Sequence, residues 1–169
     1  MTYGIIGKQE ITNINALTSF VTNKNKNVKN IKEIATCFIE VGEIYGVRGD
    51  IAYCQAIIET GWFKFDGGTA VTPSQHNYCG LGVTSKGAKG NSFNTVRDGV
   101  TAMIQHLYAY ATKDNIPTGE KMIDTRFKYV KRGIAPTWND LSNKWAMNAN
   151  YGKHILSMYE QLKNFKGDE

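Results

Sequence analysis

Three stretches of the chain carry apolar residues at three- and four-residue spacing, which places those residues on one face of a helix. The longest stretch, from Asn27 to Tyr45, keeps this spacing over about five turns. A second covers residues 95–111, and a third runs from about Asn150 to Phe165. Each such helix has an apolar face to bury, so the helices must pack against one another. The sequence therefore predicts a mainly α-helical fold.

A shorter helix is expected after the first. Residues 46–49 contain two glycines that break the preceding helix, and Asp50 is a plausible N-cap for the next. That helix should end near Thr60, with Gly61 as its C-terminal stop. Residues 65–93 are rich in glycine and contain short β-compatible pieces, which predicts loops with a small β-hairpin lobe. The expected fold class is α+β, with helix dominant.

The chain of 169 residues is long enough for one domain with a real core. We assign residues 27–169 to this domain and residues 1–26 to an N-terminal extension or first helix packed on it. No apolar stretch approaches the roughly 18–20 residues of a membrane span, so we expect no membrane insertion. The net charge of +5 is compatible with an anionic polymer as partner, either nucleic acid or an acidic cell-wall glycan.

Cysteines and histidines do not suggest a metal centre. Cys37, Cys54 and Cys79 lack the paired spacing of a zinc site, and small buried thiols are the expected outcome. The three histidines also lack ligand spacing. We therefore predict neither a metal nor another cofactor.

Glu59 is an acid in an apolar setting, between the run 56–58 and the aromatic Trp62. Gln55 shares its helix face at four-residue spacing. Desolvation of a carboxyl raises its pKa, which suits a general acid that works near neutral pH. The alternative is a glutamate near a helix end that reaches solvent or caps a loop amide.

Several aromatic residues lie outside the apolar helix stripes, mostly in loops or at helix ends. Flat rings with polar edges suit stacking on sugars, although core packing is the commoner role of any single aromatic residue. These residues are Trp62, Tyr78, Tyr129, Trp138, Trp145 and Tyr151.

Four motifs occur in a fixed order along the chain: "QAIIETGW" at 55–62, "NYCGLG" at 77–82, "SFNTVRDGVTAMIQHLYAYA" at 92–111 and "WAMNANYGKHIL" at 145–156. Together they resemble the glucosaminidase family, glycoside hydrolase family 73, of bacterial autolysins and phage endolysins. The likeness covers about residues 30–165, and "GIAPTWNDLSNKWA" is most similar to clostridial members. It implies a lysozyme-like helical fold and an endo-β-N-acetylglucosaminidase that cuts peptidoglycan after N-acetylglucosamine.

The resemblance also implies site residues. Glu59 matches the family's general acid, and Tyr151 matches a tyrosine at the catalytic centre. The expected substrate-binding residues are Gln55, Trp62, Asn77, Tyr78, Tyr129 and Trp138. The implied partner is the peptidoglycan glycan strand rather than nucleic acid, and we expect a monomer that is secreted or wall-bound as an excised domain, or phage-encoded and delivered to the wall.

One departure concerns a second carboxylate, which many family members are proposed to carry in the β-lobe. This chain has no Asp or Glu between Val71 and Arg97, and the flanking Asp66 and Asp98 sit in no identifying motif. The alternative is neighbouring-group participation, in which the acetamido group of the substrate attacks the anomeric carbon.

Two competing functions remain. A muramidase or lytic transglycosylase would also use a helix-end glutamate, often followed by serine and later by a "GLMQ"-like segment; here Thr60 follows, and "GLGV" stands at 80–83. A non-catalytic cell-wall binding module would often show repeats, which this sequence lacks, and would need no semi-buried glutamate. Both features favour the glucosaminidase.

Overall fold

The computed structural model describes residues 2–167 and is built from helices. Within that range the α-helices are α1 (Ile14–Thr22), α2 (Ile31–Tyr45), α3 (Gly49–Thr60), α4 (Val96–Ala111) and α5 (Tyr151–Asn164). Short 3₁₀ turns lie at Pro73–Gln75, Phe127–Tyr129 and Asn139–Leu141. The prediction of a mainly α-helical chain is confirmed. α2 begins four residues later than predicted, after Asn30, whose backbone has a left-handed φ of 59°.

α3 is the central helix, and it packs between α2 and α5, while α4 covers the other side of α2. Every residue from Gly49 to Ile57 is buried. A helix that is buried on all sides belongs to the core of a domain rather than to its surface. The last turn of α3 leaves this core, so Glu59 stands where the helix reaches the surface of the core.

Asp50 does not cap α3, so that prediction is wrong. The helix begins two residues earlier than predicted, after Arg48, and Asp50 lies in its first turn. Its carboxylate accepts hydrogen bonds from the Arg48 guanidinium at 3.0 and 2.9 Å and from the backbone N–H groups of Glu10 and Ile11 at 3.0 and 3.1 Å. A buried carboxylate needs this many donors to offset its lost hydration, so long-range partners take the place of the cap.

The N-terminal residues are part of the packed structure. Tyr3 and Ile5 are buried in the main core, and α1 packs on α2. The backbone N–H of Ile5 donates to the Pro136 carbonyl at 2.9 Å, and that of Arg48 donates to the Ile5 carbonyl at 2.8 Å. The structure therefore has the first helix packed on the rest of the chain, while the boundary at residues 26 and 27 stays a prediction.

The glycine-rich segment forms loops where a hairpin was predicted. In the described structure, residues 65–93 contain one 3₁₀ turn and no strand. The Asn77 side chain organises this segment, because its amide donates to the carbonyls of Leu81 and Asn91 at 2.9 and 3.0 Å. Gly82 has a φ of 77°, and a Cβ there would lie 2.2 Å from the Asn91 amide oxygen. Residue 82 must therefore be a glycine, because a side chain there would collide with Asn91. Loop contacts of this kind take the place of the regular hydrogen-bond ladder of a β-hairpin.

Two further sequence predictions concern the core and the membrane. All three cysteines are buried and free, as predicted. Across residues 2–167, every helix is too short or too polar to cross a bilayer.

The Arg48–Asp50 pair generates a stability prediction. Asp50→Asn should lower the free energy of unfolding by roughly 3–5 kcal/mol, because it leaves the buried Arg48 guanidinium with only the exposed Glu10 carboxylate, 3.7 Å away, as counter-charge. Glu40→Gln is the matched control, since it breaks an exposed pair with Arg97 at 2.8 Å and should cost less than about 1 kcal/mol. Urea denaturation at pH 7 measures both, and equal small losses would contradict the prediction.

The Arg48–Asp50 pair should also affect how the free energy of unfolding depends on pH. Burial alone would raise the pKa of the Asp50 carboxyl, but the hydrogen bonds and charge of Arg48 and the backbone donors outweigh it, so the net pKa is lowered. A carboxyl with a lowered folded pKa stabilises the native state above its unfolded pKa, and this contribution disappears as pH falls. The difference between wild type and Asp50→Asn should therefore shrink below about pH 4.

Candidate active site

The end of α3 is fixed by its own side chains. The Thr60 hydroxyl donates to the Ala56 carbonyl and accepts from the Phe63 N–H, both at 2.8 Å. Gly61 then ends the helix with a φ of 58°, as predicted for a C-terminal stop. This closed helix end holds Glu59 in one place, half-buried beside the glycine-rich lobe.

A chain of hydrogen bonds runs from Gln55 through Tyr151 to Glu59. The Gln55 amide nitrogen donates to the Tyr151 hydroxyl at 2.8 Å, and that hydroxyl lies 2.5 Å from Glu59 Oε1. Because the amide nitrogen can only donate, the Tyr151 proton is free to point at the carboxylate. A proton carried by Glu59 then belongs on Oε2, the oxygen that Tyr151 does not occupy.

Burial raises the pKa of the Glu59 carboxyl, and the Tyr151 hydrogen bond opposes part of that rise. Burial and the neighbouring Glu59 charge also raise the pKa of Tyr151 well above its ordinary value, so its hydroxyl stays a donor. The hydrogen bond found at the carboxyl comes from a tyrosine rather than from a loop amide. The arrangement is that of a carboxyl that holds its proton to a higher pH than usual.

Glu59 lines a cavity of about 330 Å³ between the glycine-rich lobe and the segment before α5. The Asp66 side chain is exposed beside it, and Asp98 lies in the first turn of α4. No acid other than Glu59 lines this cavity in the described part of the chain. The lining residues are Glu59, Thr60, Phe65, Thr69, Val71, Asn77, Cys79, Gly80, Val83, Trp145 and Ala146.

Some of the other predicted site residues support the wall of this cavity, and others lie outside it. Gln55 is fully buried and reaches the site only through Tyr151. Asn77 is 1% exposed and braces the cavity wall. Tyr78 is 2% exposed and lines a different cavity of about 500 Å³. Trp62 packs on Phe20 at a ring separation of 5.2 Å rather than on the Glu59 cavity.

One of the two predicted subsite tryptophans is buried in the core. Trp138 is fully buried in the core, so it cannot flank a sugar subsite. Trp145 lines the cavity instead, and its place six residues before Tyr151 in "WAMNANYGKHIL" was the available signal. Tyr129 is 65% exposed outside the cavity, with the Arg126 guanidinium 4.6 Å from its ring centre. Its role in substrate binding stays a prediction.

Among the described residues, no group of three or more His, Cys, Asp or Glu side chains is placed so that it could hold a metal ion. The His106–Asp124 pair, with Nδ1 2.7 Å from Oδ2, is a two-residue arrangement.

The hydrogen bond between Tyr151 and Glu59 can be tested without a substrate. Tyr151→Phe removes a donor to the carboxylate, so the pKa of Glu59 should rise further. Carbon-13 carboxyl shifts followed against pH measure it. Tyr108→Phe is the control, because the Tyr108 hydroxyl bonds to the Asn115 carbonyl and should leave Glu59 unchanged. A fall in the Glu59 pKa on loss of Tyr151 would contradict the assigned geometry.

Solved structures of autolysins share this fold. A catalytic mutant of S. aureus autolysin E, in complex with the disaccharide NAG-NAM, matches with a TM-score of 0.60 at 15% identity, over all of this chain and 76% of that one. The catalytic domain of the autolysin Auto from Listeria monocytogenes matches with a TM-score of 0.51 at 14% identity, over 88% of this chain and 85% of that one. The predicted lysozyme-like fold is confirmed.

Sequence comparison gives the family. An uncharacterized protein of Borreliella burgdorferi is 43% identical over 135 residues, which make up 80% of this chain and 64% of that protein. The chain thus matches less than two thirds of the length of this relative. The family model described as "Glucosaminidase: Mannosyl-glycoprotein endo-beta-N-acetylglucosaminidase" matches residues 35–164. The chain belongs to this glucosaminidase family.

Proposed function

We propose that the protein is a peptidoglycan hydrolase, an endo-β-N-acetylglucosaminidase that cleaves the β-1,4 bond after N-acetylglucosamine. The observation that carries the proposal is the Glu59 carboxyl, whose pKa is raised by burial at the wall of a cavity. Family membership supports the reaction class. The S. aureus neighbour, which was solved with the disaccharide NAG-NAM, supports the substrate class by analogy of fold.

In the proposed reaction Glu59 is the general acid. The raised pKa extends to higher pH the range in which the carboxyl holds its proton, and that proton passes to the glycosidic oxygen as the C–O bond breaks. Gln55 acts as a positioning residue, since its bond to Tyr151 directs the tyrosine proton to Glu59. After bond cleavage, the donated hydrogen bond from Tyr151 stabilises the carboxylate that remains.

The second catalytic group comes from the substrate in this proposal. Glu59 is the only acid among the described residues that line its cavity. The carbonyl oxygen of the 2-acetamido group attacks the anomeric carbon, the bond to the leaving oxygen breaks, and an oxazolinium forms. Water then attacks the same carbon, the bond from that carbon to the acetamido oxygen breaks, a water proton passes to the Glu59 carboxylate, and the product retains its configuration.

The alternatives have less support. A muramidase or lytic transglycosylase could use the same helix-end acid, but the family match favours the glucosaminidase. A non-catalytic wall-binding module would give no role to a carboxyl with a raised pKa. We also propose that the protein acts at the bacterial cell wall as a monomer, either secreted or phage-delivered, and that it does not bind nucleic acid.

Glu59→Gln tests the catalytic role. Wall lysis should fall roughly 10²- to 10⁴-fold, because an amide cannot donate the required proton. Mass spectrometry of wall digests should find reducing N-acetylglucosamine ends from the wild type; muramic or anhydro-muramic ends would favour the alternatives. An active Glu59→Gln variant would remove Glu59 from the mechanism.

The variant should fold at least as well as the wild type. When folding raises the pKa of a carboxyl, the folded protein loses stability as the pH rises past the unfolded pKa of that group. A glutamine side chain does not ionise, so the variant avoids this loss. The melting temperature at pH 7 should therefore be equal or higher.

The substrate-assisted step makes a separate prediction. Asp66→Asn and Asp98→Asn should slow lysis far less than Tyr151→Phe or Glu59→Gln, because neither aspartate lines the Glu59 cavity. A thiazoline of N-acetylglucosamine, which mimics the cyclic intermediate, should inhibit. Inactivation by one aspartate change, with inverted product and no inhibition, would restore a two-carboxylate scheme.

A further inference from the structure

A second recess adjoins the Glu59 cavity and has no part in the mechanism above. Its volume is about 220 Å³, and four of its wall residues, including Trp145, also line the Glu59 cavity. A sugar bound against Glu59 could therefore extend a substituent into it. The walls consist of Cys79, Gly80, Leu81, Gly82, Val83, Thr84, His106, Arg126 and Trp145.

His106 is held in the wall by a buried carboxylate. Its Nδ1 lies 2.7 Å from Asp124 Oδ2, and the Asp124 side chain is fully buried. The other oxygen, Oδ1, accepts the backbone N–H of Arg126 at 2.8 Å. A carboxylate only accepts hydrogen bonds, so Nδ1 carries the proton, and in the neutral ring Nε2 can only accept a hydrogen bond, for example from a hydroxyl or an amide N–H. Asp124 thus orients both His106 and the start of the Arg126 segment.

Arg126 supplies positive charge to the same wall. Its guanidinium lies 4.6 Å from the ring centre of Tyr129, and within residues 2–167 it makes no ion pair. No Asp or Glu lines the recess in the described structure. An arginine that is stacked on an aromatic ring and free of a counter-charge presents its donors in the fork that matches a carboxylate.

We propose that this recess binds a carboxylate carried by the muramyl residue of the substrate, through the guanidinium of Arg126. The inference rests on the proposed function. Glycan strands of peptidoglycan carry a lactyl group on every second sugar, either free or extended by a peptide, whereas strands of N-acetylglucosamine alone carry no carboxylate. The recess therefore discriminates wall glycan from chitin-like glycan.

Binding to the full chain tests the proposal, with Glu59→Gln in the background to prevent cleavage. The ligands are a wall tetrasaccharide with free lactyl carboxylates, the same tetrasaccharide with stem peptides, and chitotetraose. Adding Arg126→Gln should weaken binding of the carboxylate ligands roughly 10- to 100-fold, as expected for a charged hydrogen bond, and leave chitotetraose unchanged. If the ligand with free lactyl groups loses more affinity, the lactyl carboxylate is the bound group. If the ligand with stem peptides loses more affinity, a peptide carboxylate is the bound group.

Two controls keep the result interpretable. Lys128→Gln removes the same charge from an exposed residue outside the recess, and should change all ligands little. Arg126→Lys keeps the positive charge but lacks the planar fork of donors. Its affinity for the carboxylate ligands should therefore lie between those of the wild type and Arg126→Gln. Equal effects of Arg126→Gln on charged and uncharged ligands, or no effect, would overturn the proposal. Absence of glycan binding by every variant, with no wall lysis by the wild type, would instead refute the proposed function.

Discussion

The buried ion pair between Arg48 and Asp50 is the contact on which the placement of α3 depends. It joins the N-terminal segment, through the amides of Glu10 and Ile11, to the first turn of the central helix. Glu59 lies nine residues beyond Asp50 along the same helix, about 13 Å away at the usual helical rise. A shift at the charged end of α3 would therefore displace the carboxyl at its other end, although the two share no direct contact.

A second polar contact fixes α3 against α5. Tyr159 donates to Asp50 at 3.1 Å near the start of α3, and Tyr151 donates to Glu59 at its end. The two helices therefore run antiparallel, with a tyrosine of α5 bonded to a carboxyl of α3 at each end. Sliding one helix along the other would break both bonds and leave buried polar groups without partners. The same tyrosine that donates to the Glu59 carboxyl thus also sets the helix register.

Local pattern predicted the helices, the three buried thiols and Glu59, because apolar spacing and an acid among apolar neighbours are visible within a few residues. It failed where partners are distant in sequence. Asp50 has the local features of an N-cap, and only the approach of residues 10–11 makes it half of a buried pair. Trp138 and Trp145 look alike in sequence, but Gly152 lets α5 approach the Trp138 backbone closely, which buries one tryptophan and leaves the other at the cavity.

The Glu59 cavity has one desolvated acid, and the adjoining recess, which shares Trp145 as a wall residue, is lined by Arg126. Glu59 is the single carboxyl among the described residues that line its cavity, so the proposed mechanism takes the group that stabilises the anomeric carbon from the substrate and requires a 2-acetamido sugar. In the same proposal, recognition of the neighbouring muramyl carboxylate is a separate task, which Arg126 can perform without touching the reacting atoms. The His106 ring meets Trp145 edge-on at 4.9 Å, so a wall residue of the recess is packed directly on a residue that lines both cavities. Under the proposed function, selection of the reacting sugar and selection of its neighbour therefore fall to adjoining but chemically distinct cavities.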